Sequence, residues 1–240
     1  MGELTVLGSC GAFPEPGRAC AGFLLSHNGF RVVLDLGYGA ASRLFGHGLP
    51  DAVVVTHEHP DHCADVSALG RASYYGDGPR LPLFCTPGTV ARLAAMEPRP
   101  HPTEVFEVRD LASAASVGPF RLTTFALPHH VPNFGVRLAA PGLTVAYTGD
   151  TGPSSALAEL GRDADLLICD ATYRTPPSGD EPRYLMTAAE AGEWAAAAGA
   201  RRLLLTHFWP GTDRAAAAAE ARAEFGGEVL VAEEGLTIEL

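Results

Sequence analysis

Three histidines and an aspartate fall within six residues at His57-Glu58-His59-Pro60-Asp61-His62, directly after the β-branched run Val53-Val54-Val55. Imidazole nitrogens and carboxylate oxygens at this density make a ligand set for a divalent cation. Zinc takes both donors, and manganese or iron accept the same ones. The valine run is too short for a helix and suits the pleated surface of a buried strand. The ligand-type residues therefore stand on the loop where that strand ends, the usual place for chemistry in an α/β protein. Side chains alternate along extended chain, so His57 and His59 face the same way. The turn after Pro60 brings Asp61 and His62 round to a second point.

Further donors follow downstream. Pro128-His129-His130-Val131-Pro132 sets a histidine pair at a strand end before a proline turn; one member is a ligand candidate, the other a solvated or core histidine. Leu143 to Thr148 reads as a strand delivering Gly149-Asp150-Thr151-Gly152, and Arg202 to Thr206 as a strand ending at His207-Phe208-Trp209-Pro210. Asp35, closing a strand from Arg31, has two readings: it orients a metal-bound histidine, or it caps the helix that follows.

These stretches carry a family resemblance. His57-Glu58-His59-Pro60-Asp61-His62 matches the H-x-H-x-D-H signature of the metallo-β-lactamase-fold hydrolases. His129 to Gly135 resembles the H-x-x-P-x-[FY]-G stretch of their ribonuclease Z-like and phosphodiesterase branch, in a register that selects His129 over His130. Tyr147-Thr148-Gly149-Asp150-Thr151 resembles the family's Y-[ST]-G-D-T stretch, and Leu205-Thr206-His207 its last L-T-H motif. Carried over, the resemblance implies one ion on His57, His59 and His129 and another on Asp61, His62 and His207, with Asp150 bridging. It implies two divalent ions, zinc before manganese or iron, and a bridging hydroxide as nucleophile that Asp61, as catalytic residue, helps to aim. It also implies an α/β (α+β) class, a four-layer αβ/βα sandwich with the metals at one edge, and residues 1–240 as a single domain.

The branch is narrowed by what departs from the pattern. The best-known dinuclear β-lactamases carry cysteine where this chain has Asp150, and glyoxalase II-like thioesterases show H-T-P-G-H-T at the third motif. Ribonuclease Z proper has a histidine where Leu185-Met186-Thr187 places Leu185. A leucine cannot donate a proton to a leaving oxygen, so His130 or Tyr184 substitutes, as substrate-facing groups, or the leaving group needs little help. No long basic insertion resembles a transfer-RNA-binding arm. The expected function is a phosphodiesterase acting on a small or cyclic nucleotide. The alternatives are a ribonuclease Z-type tRNA 3′-processing endonuclease, an ester or lactone hydrolase, and, outside enzymes, a metal-dependent binding protein.

Composition bounds the partners. A net charge of −11, from 17 basic against 28 acidic residues, disfavours long nucleic acid, whose affinity rests on Lys and Arg neutralising phosphates. A small anionic substrate stays compatible, because bound cations offset charge locally. Five cysteines without a C-x-x-C pair read as reduced, mostly buried thiols, although Cys63 adjoins His62 and could lie near the metals. With no basic leader or long apolar segment, no membrane association and a cytoplasmic location are expected. A homodimer is left open.

The elements that must position these residues read as follows. Leu4 to Leu7 is a strand running into the glycine loop Gly8 to Pro14, either substrate-facing or a plain turn. Ala21 to Ser26 and Arg31 to Asp35 form a hairpin around His27-Asn28-Gly29, with His27 solvated at its tip. Ala40 to Gly46 is a helix with His47 near its C-terminal end, and Asp65 to Tyr75 is a helix after the metal loop. Leu83 to Thr86 is a strand, Thr89 to Met96 a helix, and Glu97 to Pro102 an exposed connector with a surface His101. Glu104 to Val108, Ser113 to Val117 and Phe120 to Leu127 suggest antiparallel strands; Leu166 to Cys169 is a buried one. Tyr173 to Tyr184 reads as a mobile loop near the site. Thr187 and Glu190 form a capping box for a helix that Gly199 ends. Asp213 to Phe225 is an alanine-rich helix outside the sheet, and Glu228 to Ala232 with Leu236 to Leu240 closes the chain as a strand pair.

Overall fold

Strands that read as unbroken apolar runs must be covered on both faces, and here they are. The computed structural model describes residues 2–76, 78–177, 179 and 182–240. Within them two seven-stranded sheets pack face to face, with helices on the outer side of each. The first sheet opens with antiparallel β1 (Gly2–Gly8), β2 (Gly22–His27) and β3 (Phe30–Leu36). Asn28 and Gly29, both with positive φ (50° and 83°), make the two-residue hairpin turn whose twist matches the strands. From β3 the sheet turns parallel through β4 (Ala52–Val54), β5 (Leu81–Cys85) and β6 (Phe106–Asp110). The crossovers carry α1 (Ala40–Leu44), α2 (Pro60–Cys63), α3 (Val66–Tyr75), α4 (Pro87–Met96) and α5 (Pro102–Val105).

The second sheet repeats the plan. β7 (Ser116–Val117), β8 (Phe120–Leu127), β9 (Asn133–Ala140) and β10 (Leu143–Tyr147) are antiparallel. β11 (Leu166–Asp170), β12 (Arg202–Thr206) and β13 (Glu228–Val231) then run parallel to β10, crossing through α6 (Ala156–Leu160), α7 (Ala188–Ala198) and α8 (Arg214–Glu224). The last strand, β14 (Thr237–Glu239), returns to the first sheet beside β1. Period-two alternation sorts the strands between layers: Val32 and Leu34 face the inter-sheet core and Val33 the helices, until the left-handed Asp35 breaks the pattern and turns Leu36 to the helices as well. Leu166 and Ile168 against Leu167 and Cys169 do the same in the other sheet. The carboxyl ends of β3, β4, β10, β11 and β12 meet along one edge, where open α/β sheets bind ligands.

Several local expectations need correction. Glu104 and Val105 close α5 rather than open a strand, and β6 lies parallel to β5 in the first sheet, because a helical crossover precedes it. The closing strands do not pair with each other: β13 joins β12 and β14 joins β1. β9 was hidden by an Asn start and Gly135, and α6 by its shortness. His27 is buried at the end of β2 against Phe120, ring centroids 5.5 Å apart, rather than solvated. In α7 the capping box is complete, Thr187 and Glu190 each accepting from the other's backbone amide, and Gly199 ends the helix at φ 67°. Of the Tyr173 to Tyr184 loop, Ser178, Asp180 and Glu181 lie outside the described residues.

One glycine ties this frame to the loop after β4. A Cβ on Gly37, just past β3, would stand 1.8 Å from the Asp61 carbonyl oxygen, which is rigid backbone. Gly37→Ala is expected to lower stability by roughly 2–3 kcal/mol, as overpacking does, and to push Asp61 out of place. Urea unfolding together with metal content checks this; wild-type values for both would contradict it.

Candidate metal centre

β4 hands its chain to an extended stretch carrying His57 and His59, and Pro60 then starts the helical turn α2, which swings Asp61 and His62 inward. His129 arrives ahead of β9, Asp150 past β10 and His207 past β12. One donor atom from each of His57, His59, His129 and Asp150 lies within 4.8 Å of the others, and the same holds for Asp61, His62, Asp150 and His207. Asp150 belongs to both groups. Its Oδ1 is 3.0 Å from His62 Nε2 and 3.2 Å from His207 Nε2, while its Oδ2 is 3.7 Å from His129 Nε2 and 3.9 Å from His57 Nε2.

The histidine orientations follow from what holds their outer nitrogens. Asp35 Oδ2 accepts from His62 Nδ1 at 2.7 Å. Thr56 donates its hydroxyl to the same oxygen at 2.9 Å, so its own oxygen accepts from His57 Nδ1 at 3.0 Å. Thr172 repeats this arrangement: it donates to Asp170 Oδ1 at 2.6 Å and accepts from His207 Nδ1 at 2.7 Å. His129 Nδ1 donates to the Tyr184 carbonyl at 3.0 Å. With Nδ1 bonded outward on four rings, four Nε2 atoms face inward, the end that a metal ligand presents once deprotonated. His59 instead turns Nδ1 inward, 3.1 Å from His57 Nε2 and 3.0 Å from His129 Nε2.

Several acceptor nitrogens crowded together, without enough protons to pair them, suit a cation better than mutual hydrogen bonds. His62 Nε2 and Asp150 Oδ1 are buried and close, yet neither has an aligned hydrogen-bond partner among the described residues. Nitrogen and carboxylate donors, with no thiolate, fit two divalent ions sharing Asp150. Charge is partitioned between the two groups. Burial, reinforced by the neighbouring rings, lowers His57 well below the usual imidazole range and His59 to about 4. Burial also pulls on His62 and His207, but Asp150 and its fellow carboxylates outweigh it, raising His62 strongly and His207 to about 10. Asp61 is pushed up by burial and pulled further down by His62 and His207, so it stays ionised.

The structure thus brings together His57, His59, Asp61, His62, His129, Asp150 and His207. His130 points elsewhere: it is exposed, packed against Tyr184 at a 50° tilt with centroids 4.3 Å apart, and lines a cleft of about 160 Å³ with Tyr184, Tyr173 and Leu185. Cys63 is not among the converging donors; its thiol donates to the Glu58 carbonyl, and burial pushes it up to about 12. Asp35 orients histidines rather than capping α1, whose N-cap is Gly39. The glycine loop is no plain turn, since the Ala12 amide donates to Asp61 Oδ2 at 2.6 Å from a left-handed φ of 61°. Sequence reasoning missed the roles of Thr56, Asp170 and Thr172. The recurrence of Thr and Asp beside histidine-bearing strand ends was the available signal.

Comparisons with known proteins agree with this geometry. A family model described as a beta-lactamase superfamily domain matches residues 39–208. An uncharacterised protein of Mycobacterium tuberculosis, Rv1339, is 33% identical over 95% of this chain and 88% of its own length. The probable metallo-hydrolase YhfI of Bacillus subtilis is 31% identical over 99% of both chains. A ribonuclease Z of Kineococcus radiotolerans is 30% identical over 95% of this chain and 91% of its own. The crystal structure of YhfI superposes with a TM-score of 0.88 at 28% identity, covering 100% of this chain and 99% of that one.

Asp35→Asn should separate orientation from ligation. The amide keeps the volume but can no longer serve His62 and Thr56 as a charged acceptor. Metal affinity is expected to fall roughly 10- to 100-fold, as for other lost partners of ligand histidines. Competition with a chelator on reconstituted protein measures this; unchanged retention would count against the role given to Asp35.

Proposed function

The chain belongs to the metallo-β-lactamase-fold hydrolases, in their ribonuclease Z-like branch, and on that premise we propose that it is a dinuclear zinc phosphodiesterase acting on a small or cyclic nucleotide. The observation that carries the reading is Asp150, whose two oxygens divide between two histidine groups. We assign His57, His59 and His129 to one ion and Asp61, His62 and His207 to the other, with Asp150 shared. The nitrogen-rich set favours zinc over manganese or iron. Two such ions supply Lewis acidity, lowering the pKa of water and taking up charge on phosphoryl oxygens.

The chain's own groups do the rest. Asp61 stays ionised, and the Ala12 amide fixes its Oδ2, so it can accept a hydrogen bond from the attacking water and aim it. His130 and Tyr184 line the cleft next to His129 and are the side chains placed to meet substrate on that flank. Leu185 lines the same cleft and has no proton to give, which favours substrates whose leaving oxygen departs readily or takes its proton from His130. The 28 acidic residues against 17 basic ones support a small substrate over transfer RNA. Five buried, unpaired cysteines suit a reducing cytoplasm, and among the described residues no helix is long and apolar enough to cross a membrane.

Elemental analysis of zinc-reconstituted protein should find about two ions per chain, as a two-metal site requires. His129→Ala should lose metal and nearly all turnover of bis-p-nitrophenyl phosphate, whereas His130→Ala should keep the metal count. Metal loss on His130→Ala with retention on His129→Ala would invert the assignment, and faster turnover of p-nitrophenyl acetate or a lactone would favour an ester hydrolase.

A gel-shift titration tests the substrate's size. Binding to precursor transfer RNA at physiological salt should be weak, and its 3′ end should remain uncleaved. A tight, salt-sensitive complex with 3′ cleavage would replace the small-nucleotide reading by tRNA processing.

A further inference from the structure

Two large aromatic side chains stand half-exposed where polar residues would be expected: Phe13 at 51% and Trp209 at 47%. They meet edge to face, with centroids 6.2 Å apart and planes at 81°. Each follows closely on a residue of the metal centre. Phe13 comes after Ala12, whose amide holds Asp61, and Trp209 stands two residues past His207. The two loops are locked together, since the Gly11 amide donates to the Phe208 carbonyl at 2.9 Å. A Cβ on Gly11 would sit 2.6 Å from the His207 ring, so this loop packs directly on that histidine.

The pair is backed by a buried cation. Arg214 donates to Ser9 Oγ at 2.7 Å and to the Ala232 carbonyl at 2.8 Å, and lies over the Phe208 ring at 4.6 Å. Both aromatic loops are therefore braced from behind, and little order remains to be imposed when something binds on them. Trp209 also lines a cleft of about 400 Å³ with Thr172, Tyr173, Arg174 and Thr212. Thr172 is the residue that accepts from His207 Nδ1, so this cleft begins one side chain from the metal centre.

We infer that Phe13 and Trp209 form an aromatic platform at the mouth of the site that seats the planar base of a nucleotide substrate. This rests on the phosphodiesterase reading. A phosphodiester held over Asp61 and His207 must send one substituent outward. On this flank it meets two ring surfaces, the Thr212 hydroxyl and the guanidinium of Arg174, which Glu220 holds in place. Aromatic faces stack on any base, and the polar rim can meet its edge groups. An aliphatic alcohol or a bare sugar has no planar π-face to stack on the rings. Two rings with a polar border are also too small an apolar surface for a lipid or a stable protein partner.

The test uses zinc-loaded protein with adenosine 5′-monophosphate and ribose 5-phosphate as probes. In a Trp194→Phe background, where Trp209 is the sole remaining tryptophan, the nucleotide should quench fluorescence. By calorimetry it should bind about tenfold more tightly than ribose 5-phosphate, the scale of one base stack. Trp209→Leu should bring the nucleotide down to the sugar phosphate's affinity, Trp209→Phe should restore most of the difference, and both should keep two ions. Equal affinities for the two probes in the wild type would overturn the platform, as would equal loss of both probes in Trp209→Leu. So would a variant that only converts a dimer to a monomer in sedimentation. If the base-dependent affinity appears but no phosphodiester is cleaved, the platform stands and the phosphodiesterase reading falls.

Discussion

Asp35 is a carboxylate with no solvent exposure, at the end of a strand covered on both faces. Burying such a charge is costly unless its lone pairs are engaged, and here they are fully used. The Thr56 amide donates to Oδ1 at 2.7 Å; the Thr56 hydroxyl, His62 Nδ1 and the Tyr147 hydroxyl converge on Oδ2 at 2.9, 2.7 and 2.8 Å. Tyr147 belongs to the second sheet, whereas Thr56 and His62 lie on the loop and helical turn that follow β4 of the first. One side chain thereby joins the two halves of the sandwich, aims His62 directly and aims His57 through Thr56. The same hydroxyl that closes the shell is held as a neutral donor, since burial and Asp35 push the Tyr147 phenol far above its usual range.

Around this anchor the backbone accepts conformations that side chains usually avoid. Ala12, Asp35 and His207 all have left-handed φ, at 61°, 54° and 58°. Each costs on the order of 1 kcal/mol and persists only where surrounding structure over-determines it. That is the case here: Ala12 is held by Asp61, Asp35 by four donors, and His207 by Thr172 and by Gly11 packed on its ring. The strain is offset by three clusters of buried, mostly apolar side chains, and it lets short loops turn donor atoms back toward one point. Asp170 and Thr172 reproduce on the second sheet the relation of Asp35 and Thr56 on the first. Each half of the fold thus contributes a buried carboxylate, a threonine and a histidine.

What was legible in the sequence was what is local. His57 to His62 is contiguous, its strand is an unbroken β-branched run, and the capping box at Thr187 involves residues three apart, so the pattern alone specifies them. Asp150 and His207 were legible because Tyr147 to Thr151 and Leu205 to His207 resemble short, contiguous family motifs at strand ends. The rest depends on contacts between distant segments. Nothing local shows that the second of the closing strands crosses to the other sheet, since β14 reads like any short edge strand. Strand β6 read as the first of an antiparallel run with β7 and β8 because propensity does not record which sheet a strand joins. Asp170 reads as an ordinary strand end until Thr172 is seen against His207. Phe13 and Trp209 lie 196 residues apart, and only the fold places one ring on the other.

The acidic character of the chain is compatible with the proposed phosphodiester substrate because the two act over different ranges. Asp35, Asp61, Asp150 and Asp170 are buried beside the converging histidines, and protons on His62 and His207 offset only part of their charge. Divalent ions in their place add positive charge at one edge of the sandwich, in a water-poor setting where screening is weak. A small phosphodiester that fits within this edge feels mainly that local field. Beyond about 8 Å in physiological salt, exposed charges are largely screened from one another. A long polyanion would have to lie across successive patches of a surface whose net charge is −11, gaining at the centre and losing along its length. On the proposed reading, that balance favours a single phosphodiester over a chain of them, so charge would sort substrates by size before any side chain reads their identity.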